Sequence, residues 1–386
     1  MPTGVDRVEL AYLRHLATQP VPLFAIARTT LGYVLLGGDG LTAIAARLTG
    51  DVPWGPTDRL SKLARRKGAA VRQAESDLRR FALDRCFPRR LGDMLTRNLP
   101  DGLSYLNTGH SNLSERMLWT LRHRANARIS VLIHDTIPLD FPQFQRPGTP
   151  IKFRALLRRV QARADLIICN SQDTQTRVTA HMQDWGDVPP MIVAHLGIDV
   201  PVPAPLPPDL RPERPYFVIL GTIEPRKGHD LLLDIWDALE RESATDTPAL
   251  LIIGRRGWSN EPVFARLDAR ANQGVVKELS GLSDGIVTAL LAGSRGLLFP
   301  SHAEGFGLPP VEAAALGVPI VSSDLPVIRE ILADIPVYVS ATERYQWQQA
   351  IKSLMQDRGK EEMRIVGPAF IPPTWDAHFN TVLRFA

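Results

Sequence analysis

The chain has 386 residues, more than one hydrophobic core commonly serves, so two domains with a cleft between them are the first expectation. Hydrophobic residues at 44% and charged residues at 22% describe a soluble globular protein and exclude disordered, fibrous and coiled-coil classes. The net charge is only +4, and Cys86 and Cys169 lie far apart without metal-type spacing to the nine histidines, which argues against a disulfide framework or zinc site and for a reducing compartment.

The first residues, M-P-T-G-V-D-R-V-E-L, carry acidic residues early and no apolar run, so they do not read as a secretory signal. Residues 21–48 are the longest apolar region, but Arg28, Gly37, Gly38, Asp39 and Gly40 interrupt it too often for a membrane-spanning helix. The pattern predicts two strands turning at G-G-D-G. Residues 59–97 hold twelve Lys/Arg against four Asp/Glu, with Leu60, Leu63, Val71, Leu78, Phe81, Leu91 and Leu95 at spacings partly compatible with amphipathic helices. Such a stretch is either a solvated helical face or a surface drawn to anionic lipid or to a pyrophosphate-linked acceptor. It lacks the aromatic platform or zinc-finger pattern of a nucleic-acid binder.

Residues 129–134, 166–170 and 192–195 are strand-like runs ending in polar residues, with helical segments at 151–164 and 172–182. They predict a Rossmann-like domain over 1–200. Residues 201–215, P-V-P-A-P-L-P-P-D-L-R-P-E-R-P, hold seven prolines and can form neither a helix interior nor a central strand, so they are the expected inter-domain linker. Beyond it, apolar runs at 216–221, 249–254, 296–300 and 318–322 alternate with helical patterns at 229–240, 262–273, after Pro309-Pro310, and at 326–332. Short apolar strands alternating with helices indicate a parallel sheet buried on both faces, hence a second Rossmann-like domain over 216–370. Residues 371–386 contain P-P-T-W-D and an apolar helical pattern at 379–385.

Two loops carry chemistry. Residues 221–228, G-T-I-E-P-R-K-G, follow a strand and precede a helix, where Gly221 permits close backbone approach and Arg226 and Lys227 add cations beside free helix N–H groups. Residues 301–312, S-H-A-E-G-F-G-L-P-P-V-E, follow the next strand but one; Gly305 and Gly307 open the backbone before a helix, and Glu304 and Glu312 can each accept the two hydroxyls of a sugar diol. Taken singly, Glu312 could merely complement a helix dipole and Glu304 be a solvated loop acid.

Together these segments resemble the retaining glycosyltransferases of family 4, an α/β class with the GT-B fold of two facing Rossmann-like domains. E-G-F-G-L-P-P-V-E has that family's two glutamates with seven residues between them, and G-T-I-E-P-R-K-G resembles its phosphate loop. The resemblance implies that Glu312 binds the ribose hydroxyls of a nucleotide-sugar donor and Glu304 the transferred sugar. Gly221, Thr222, Arg226 and Lys227 would surround the diphosphate, and Gly305, Phe306, Gly307 and Leu308 would offer backbone. Many members have arginine where this chain has Thr222, so Arg226 is expected to supply that charge. S-V-L-I-H-D-T-I-P-L resembles the family's strand-end pair and puts His134 and Asp135 at the cleft. A-H-L-G-I-D, residues 194–199, resembles a domain-junction feature shaped by Gly197 and Asp199, and residues 371–386 the terminal helix that packs back toward the first domain. Relatives usually place a strand before T-G-V-D-R-V-E, whose glycine, here Gly4, faces the donor diphosphate; either that strand lies upstream or the domain is pared down.

The chain has no Asp-x-Asp triplet, so Arg226, Lys227 and helix N-termini are the expected counter-charge for the leaving diphosphate, with no metal and no cofactor. The resemblance implies a hexose donor, GDP-mannose first and UDP-glucose second. The acceptor would be a glycan or polyprenyl-pyrophosphate-linked glycan of surface polysaccharide, and the protein would be cytoplasmic and peripheral to the membrane through 59–97. The rival readings are a nicotinamide-dependent enzyme, disfavoured because no strand leads into G-x-G-x-x-G, a silent scaffold of this fold, and a phosphorylase or sucrose-type synthase.

Overall fold

The computed structural model describes residues 3–63, 67–270, 274–356 and 370–386. Helix α1 (Gly4–Ala17) starts at Thr3, whose hydroxyl accepts from the Asp6 amide while the Asp6 carboxylate accepts from the Thr3 amide. Strands β1 (Phe24–Thr29) and β2 (Gly32–Gly37) pair antiparallel around a turn at Thr30-Leu31. The turn expected at G-G-D-G does not form. Gly37 instead caps helix α2 (Gly38–Leu48), Gly38 takes φ 43° at its start, and Gly40 packs so tightly on the Phe81 carbonyl that a Cβ has no room; Gly40 serves a close approach, not a chain reversal.

Helices α3 (Arg59–Leu63) and α4 (Ala69–Arg80) follow. Strand β3 (Asp84–Cys86) then completes a three-stranded antiparallel sheet beside β2, ahead of α5 (Leu91–Asn98). Part of the basic charge in 59–97 is spent internally: Arg79 binds Asp58 at 2.8 Å, Arg80 bonds Asp77, and Arg47 reaches the same buried Asp77 at 2.6 Å. Residues 64–66 of that stretch lie outside the described residues.

The first parallel sheet is built from β4 (Ser104–Asn107), α6 (Glu115–Ala125), β5 (Arg128–Ile133), α7 (Ile137–Asp140), α8 (Thr149–Arg163), β6 (Leu166–Cys169), α9 (Gln172–Gln183) and β7 (Met191–Val193). Its order is β4-β5-β6-β7, all parallel. Strands β5 and β6 are buried on both faces, as their unbroken apolar runs require. The edge strand β4, S-Y-L-N, gives no apolar run and was not expected.

Past the linker come β8 (Tyr216–Leu220), α10 (His229–Glu242), β9 (Ala249–Ile253), α11 (Glu261–Arg270), β10 (Val276–Leu279), α12 (Asp284–Ala292) and β11 (Leu297–Phe299). They are followed by α13 (Leu308–Ala315), β12 (Ile320–Ser323), α14 (Pro326–Leu332), β13 (Val337–Val339), α15 (Arg344–Gln356) and α16 (Trp375–Phe385). The six strands run parallel in the order β10-β9-β8-β11-β12-β13, so the winding direction reverses between β8 and β11. Strands β10 and β13, short and partly exposed at the two edges, also escape the apolar pattern. Residues 271–273 of the expected helix and 357–369 of the expected second domain lie outside the described residues.

One apolar cluster joins the two sheets: Val8, Tyr12, Leu132 and Ile168 continue into Leu220, Phe306, Phe379 and Val382. Helix α16 ties them. His378 Nδ1 donates to the carbonyls of Ala194 and His195 at 3.2 and 3.0 Å, so its Nε2 accepts from the Tyr12 hydroxyl at 2.7 Å. Gly197 lies against Trp375 where a Cβ would collide, and Ile198 N donates to Pro373 O at 3.0 Å.

Candidate functional site

Because β8 and β11 are neighbours, the loops at their carboxyl ends meet, although 77 residues separate Lys227 from Glu304. They are stitched together: His302 N donates to Arg226 O, and Arg226 Nη1 donates to Ala303 O, both at 2.7 Å. Gly221 has φ 134°, which lets the Lys227 stem pass over it. The loop after β9 closes in from the other side, with Gly254 pressed on the Gly221 carbonyl and Gly257 on Thr222.

Glu304 sits between the two cations. Lys227 Nζ reaches Oε1 at 2.5 Å and Arg226 Nη1 reaches Oε2 at 2.9 Å, while Arg226 Nε binds Glu224 at 2.6 Å. Burial pushes the Glu304 carboxyl up, but the two cations outweigh it and hold the group at about 2. Burial lowers the Lys227 ammonium, assisted by Arg226 and opposed by Glu304. The expectation had Glu304 near the sugar and the cations near the diphosphate; the structure brings all three into direct contact, with the unforeseen Glu224 beside them.

Across the cleft, β5 delivers His134 and Asp135. His134 Nε2 lies 2.6 Å from the Thr108 carbonyl, which fixes the proton on Nε2, and burial lowers the imidazole. Asp135 is raised by burial, against the pull of Arg226 and His134. Gly305 rests on the His134 carbonyl, where a Cβ would collide. Its own carbonyl accepts from Ser171 and Thr174 of the α9 start, each at 3.3 Å. Phe306 is buried beneath, and Gly307, with φ 86°, starts α13. Since Pro309 and Pro310 have no N–H, the start of that helix offers the amides of Gly307 and Leu308 as its donors.

Glu312, on α13, pairs with Arg7 of α1 at 2.6 Å; burial raises its carboxyl and Arg7 opposes this. Gly4 faces Leu308, so the start of α1 lies over the start of α13. Nothing in T-G-V-D-R-V-E marks Arg7 as the partner of a glutamate so far along the chain. Sequence reading also missed the loop after β4, where His110 (φ 59°) and Asn112 (φ 61°) take left-handed backbone and the His110 ring lies 5.3 Å from that of His134.

Two contacts clamp the sheets. Glu330 of α14 accepts from the Gln172 and Asp173 amides of α9 at 2.7 and 3.1 Å and pairs with His195 Nε2 at 2.7 Å. Trp258 Nε1 donates to the Phe144 carbonyl at 3.2 Å, under the Arg146 guanidinium, while Phe144 stacks on His302. Between these clamps remains a cavity of about 40 Å³ bordered by Asp135, Asp140, Asp173, Arg177, His302 and Glu304. Among the described residues no three His, Cys, Asp or Glu side chains converge to hold a metal, and no helix is long and apolar enough to cross a membrane.

Residues 207–367 match the family model "Glycosyl transferases group 1". The serotype-specific mannosyltransferase WbdA of Escherichia coli is 32% identical over 234 residues, 56% of this chain and 28% of that protein. The O-antigen chain mannosyltransferase RfbU of Salmonella typhimurium (strain LT2) is 42% identical over 145 residues, 36% of this chain and 38% of that one. The chain thus spans well under half the length of either. The structure of Anabaena Alr3699/HepE in complex with UDP-glucose superposes with a TM-score of 0.61 at 16% identity, covering 100% of this chain and 93% of that one. The fold is GT-B: two parallel α/β sheets facing across a cleft.

Proposed function

We propose that this chain is a retaining glycosyltransferase of family 4 that moves a hexose from a nucleoside diphosphate sugar to a glycan or polyprenyl-pyrophosphate-linked acceptor in surface polysaccharide synthesis. The observation that carries the reading is the Lys227–Glu304–Arg226 cluster at the switch point, with Gly305 against His134. The likeness to the two mannosyltransferases supports GDP-mannose as donor; the UDP-glucose complex of HepE makes UDP-glucose the second candidate.

In this reading the bond from the anomeric carbon to the diphosphate breaks and charge grows on the leaving phosphate. Lys227 has three N–H donors and Arg226 five, so both keep donors for that phosphate after binding Glu304. Glu304 holds the cations in place before reaction and lies beside the sugar as the anomeric carbon becomes positive. Attack from the leaving-group face lets the departing phosphate oxygen take the acceptor proton, so no side-chain base is needed. Neutral His134, oriented by Thr108, and Asp135 position the sugar, and Glu312 exchanges Arg7 for the ribose hydroxyls. We assign neutralisation of the leaving group to these cations and not to a divalent ion. Activity that vanished on chelation and returned with a divalent cation would overturn that.

The cavity of about 40 Å³ beside Asp135 and Glu304 is far below the roughly 300–1,000 Å³ of a ligand site, so in this reading the residues that border it move apart when the donor sugar enters. The protein would be cytoplasmic, resting on an anionic membrane through 59–97, where Leu60, Val71 and Phe87 are exposed. Thermal shift against GDP, UDP, GDP-mannose and UDP-glucose identifies the donor, since a ligand at a hundredfold its Kd adds about 2.7 kcal/mol. NMR of the product then gives the anomeric configuration. Donor binding without transfer or hydrolysis would mean a silent scaffold, and inversion would sink the family assignment.

A further inference from the structure

We propose that the groove between α5 and α6 is a second carbohydrate site, outside the cleft, that holds a phosphorylated saccharide. The groove measures about 330 Å³ and lies between Arg89 and Asp93 on one wall and Arg116, Trp119 and Arg124 on the other. None of these residues borders the cavity between the sheets.

The sequence of α6 builds one wall directly. Met117, Leu118, Thr120, Leu121 and Ala125 are buried, which leaves Arg116, Trp119 and, beyond them, Arg124 along the outward face, with Thr120 at the floor of the groove. The Trp119 indole is 48% exposed, with the His123 ring 4.8 Å away at a 42° tilt. A rigid, half-exposed indole is a stacking plate for the apolar face of a sugar ring.

The charge is unbalanced. Arg89 and Arg116 have no carboxylate partner among the described residues, because the neighbouring Glu115 is taken by Arg163. Arg124 has Asp93 at 3.4 Å. Gly92 lets the Arg124 guanidinium lie on α5: a Cβ there would stand 3.4 Å from its Nε. Three guanidiniums around one concavity with a single carboxylate suit a phosphate, which they can bind in bidentate fashion. The groove has the size of a discrete ligand site, whereas a lipid surface is met by side chains projecting from a convex amphipathic face.

The choice of ligand rests on the transferase reading, since an enzyme whose acceptor is a sugar chain joined to phosphate meets this group at every turnover. The site would hold the phosphate end of that chain on this domain while its sugar end is extended in the cleft. The groove itself can be tested without any activity.

With nucleoside diphosphate present to occupy the cleft, the full chain is titrated calorimetrically with mannose 6-phosphate, mannose and inorganic phosphate, and sedimented with phosphatidylglycerol vesicles. Mannose 6-phosphate should bind about tenfold more tightly than either part alone. Arg116→Ala and Trp119→Ala should each weaken it about fivefold, with Tm and transfer to a short soluble acceptor unchanged. Equal binding by both variants would overturn the proposal. So would inorganic phosphate binding as tightly as the sugar phosphate, which marks an anion patch, or vesicle binding that alone depends on these residues, which marks a membrane contact. If no donor supports transfer but the sugar phosphate still binds with this residue dependence, the function reading fails and the groove stands.

Discussion

At Glu304 the contest between burial and charge is won by charge. Burial alone would raise the carboxyl above its ordinary 4.5, yet Arg226 and Lys227 bring it to about 2. Its folded value lies below its unfolded one, so its contribution to stability is full above pH 4.5 and is lost as pH falls toward 2. Glu304→Gln keeps the shape and removes the charge that holds both cations. We expect kcat to fall by about 10²–10³-fold with nucleotide Kd within a few-fold, whereas Glu312→Ala should raise nucleotide Kd about tenfold; transfer assays and calorimetry separate the two. Buried histidines set the response at milder pH. Burial depresses His110 and His378 to about 4 and His229 to about 3, from 6.5 in the unfolded chain. Below pH 6.5 these three side chains let the unfolded chain bind up to three more protons, a contribution that lowers stability by up to about 4 kcal/mol per pH unit down to about pH 4, opposed by the raised carboxyls of Asp135 and Glu312. Denaturant midpoints at pH 7, 6 and 5 measure the slope. His378→Gln, whose Oε1 can still accept from Tyr12, should remove about a third of it; an unaltered slope would show that His378 is not among the titrating groups.

At the scale of elements, α9 shows a helix start completed by the other domain. Ser171 accepts from the Thr174 amide, and the Gln172 and Asp173 amides bind Glu330, 158 and 157 residues away. An N-cap contributes about 1 kcal/mol, and a carboxylate at a helix N-terminus gains from the dipole as well. Glu330→Ala should therefore speed hydrogen exchange of those two amides about tenfold and cost about 1–2 kcal/mol. Unchanged exchange would mean that water caps the helix equally well. The cap could not be read from S-Q-D-T, which carries Ser171 but no acidic residue three positions on. The misread G-G-D-G has a similar origin: glycine marks either a turn or a close approach, and only the nearby Phe81 carbonyl decides which.

For the whole molecule the decisive fact is how tightly the cleft is shut. The cavity beside Glu304 holds about 40 Å³, and its bordering residue His302 stacks on Phe144, whose carbonyl accepts from Trp258 across the cleft. Closure of this kind excludes water from a cleft in which a donor would otherwise be hydrolysed. Trp258→Ala should raise nucleotide release in the absence of acceptor by about tenfold relative to transfer, measured by coupled nucleotide detection; an unchanged ratio would remove Trp258 from the seal. The sequence by itself determined the class, because parallel strands buried on both faces must be short, continuously apolar and separated by helices. It also determined the two loops after β8 and β11, since glycines, prolines and helix starts act locally. Tertiary structure alone decided which charges meet. Strand order puts β11 beside β8, so Glu304 falls between Arg226 and Lys227. The packing of α1 over α13 turns Arg7 onto Glu312, and the facing of the sheets sets Gly305 on His134. Neither strand order nor domain facing is written in any local pattern, because both arise from contacts between segments far apart in the chain.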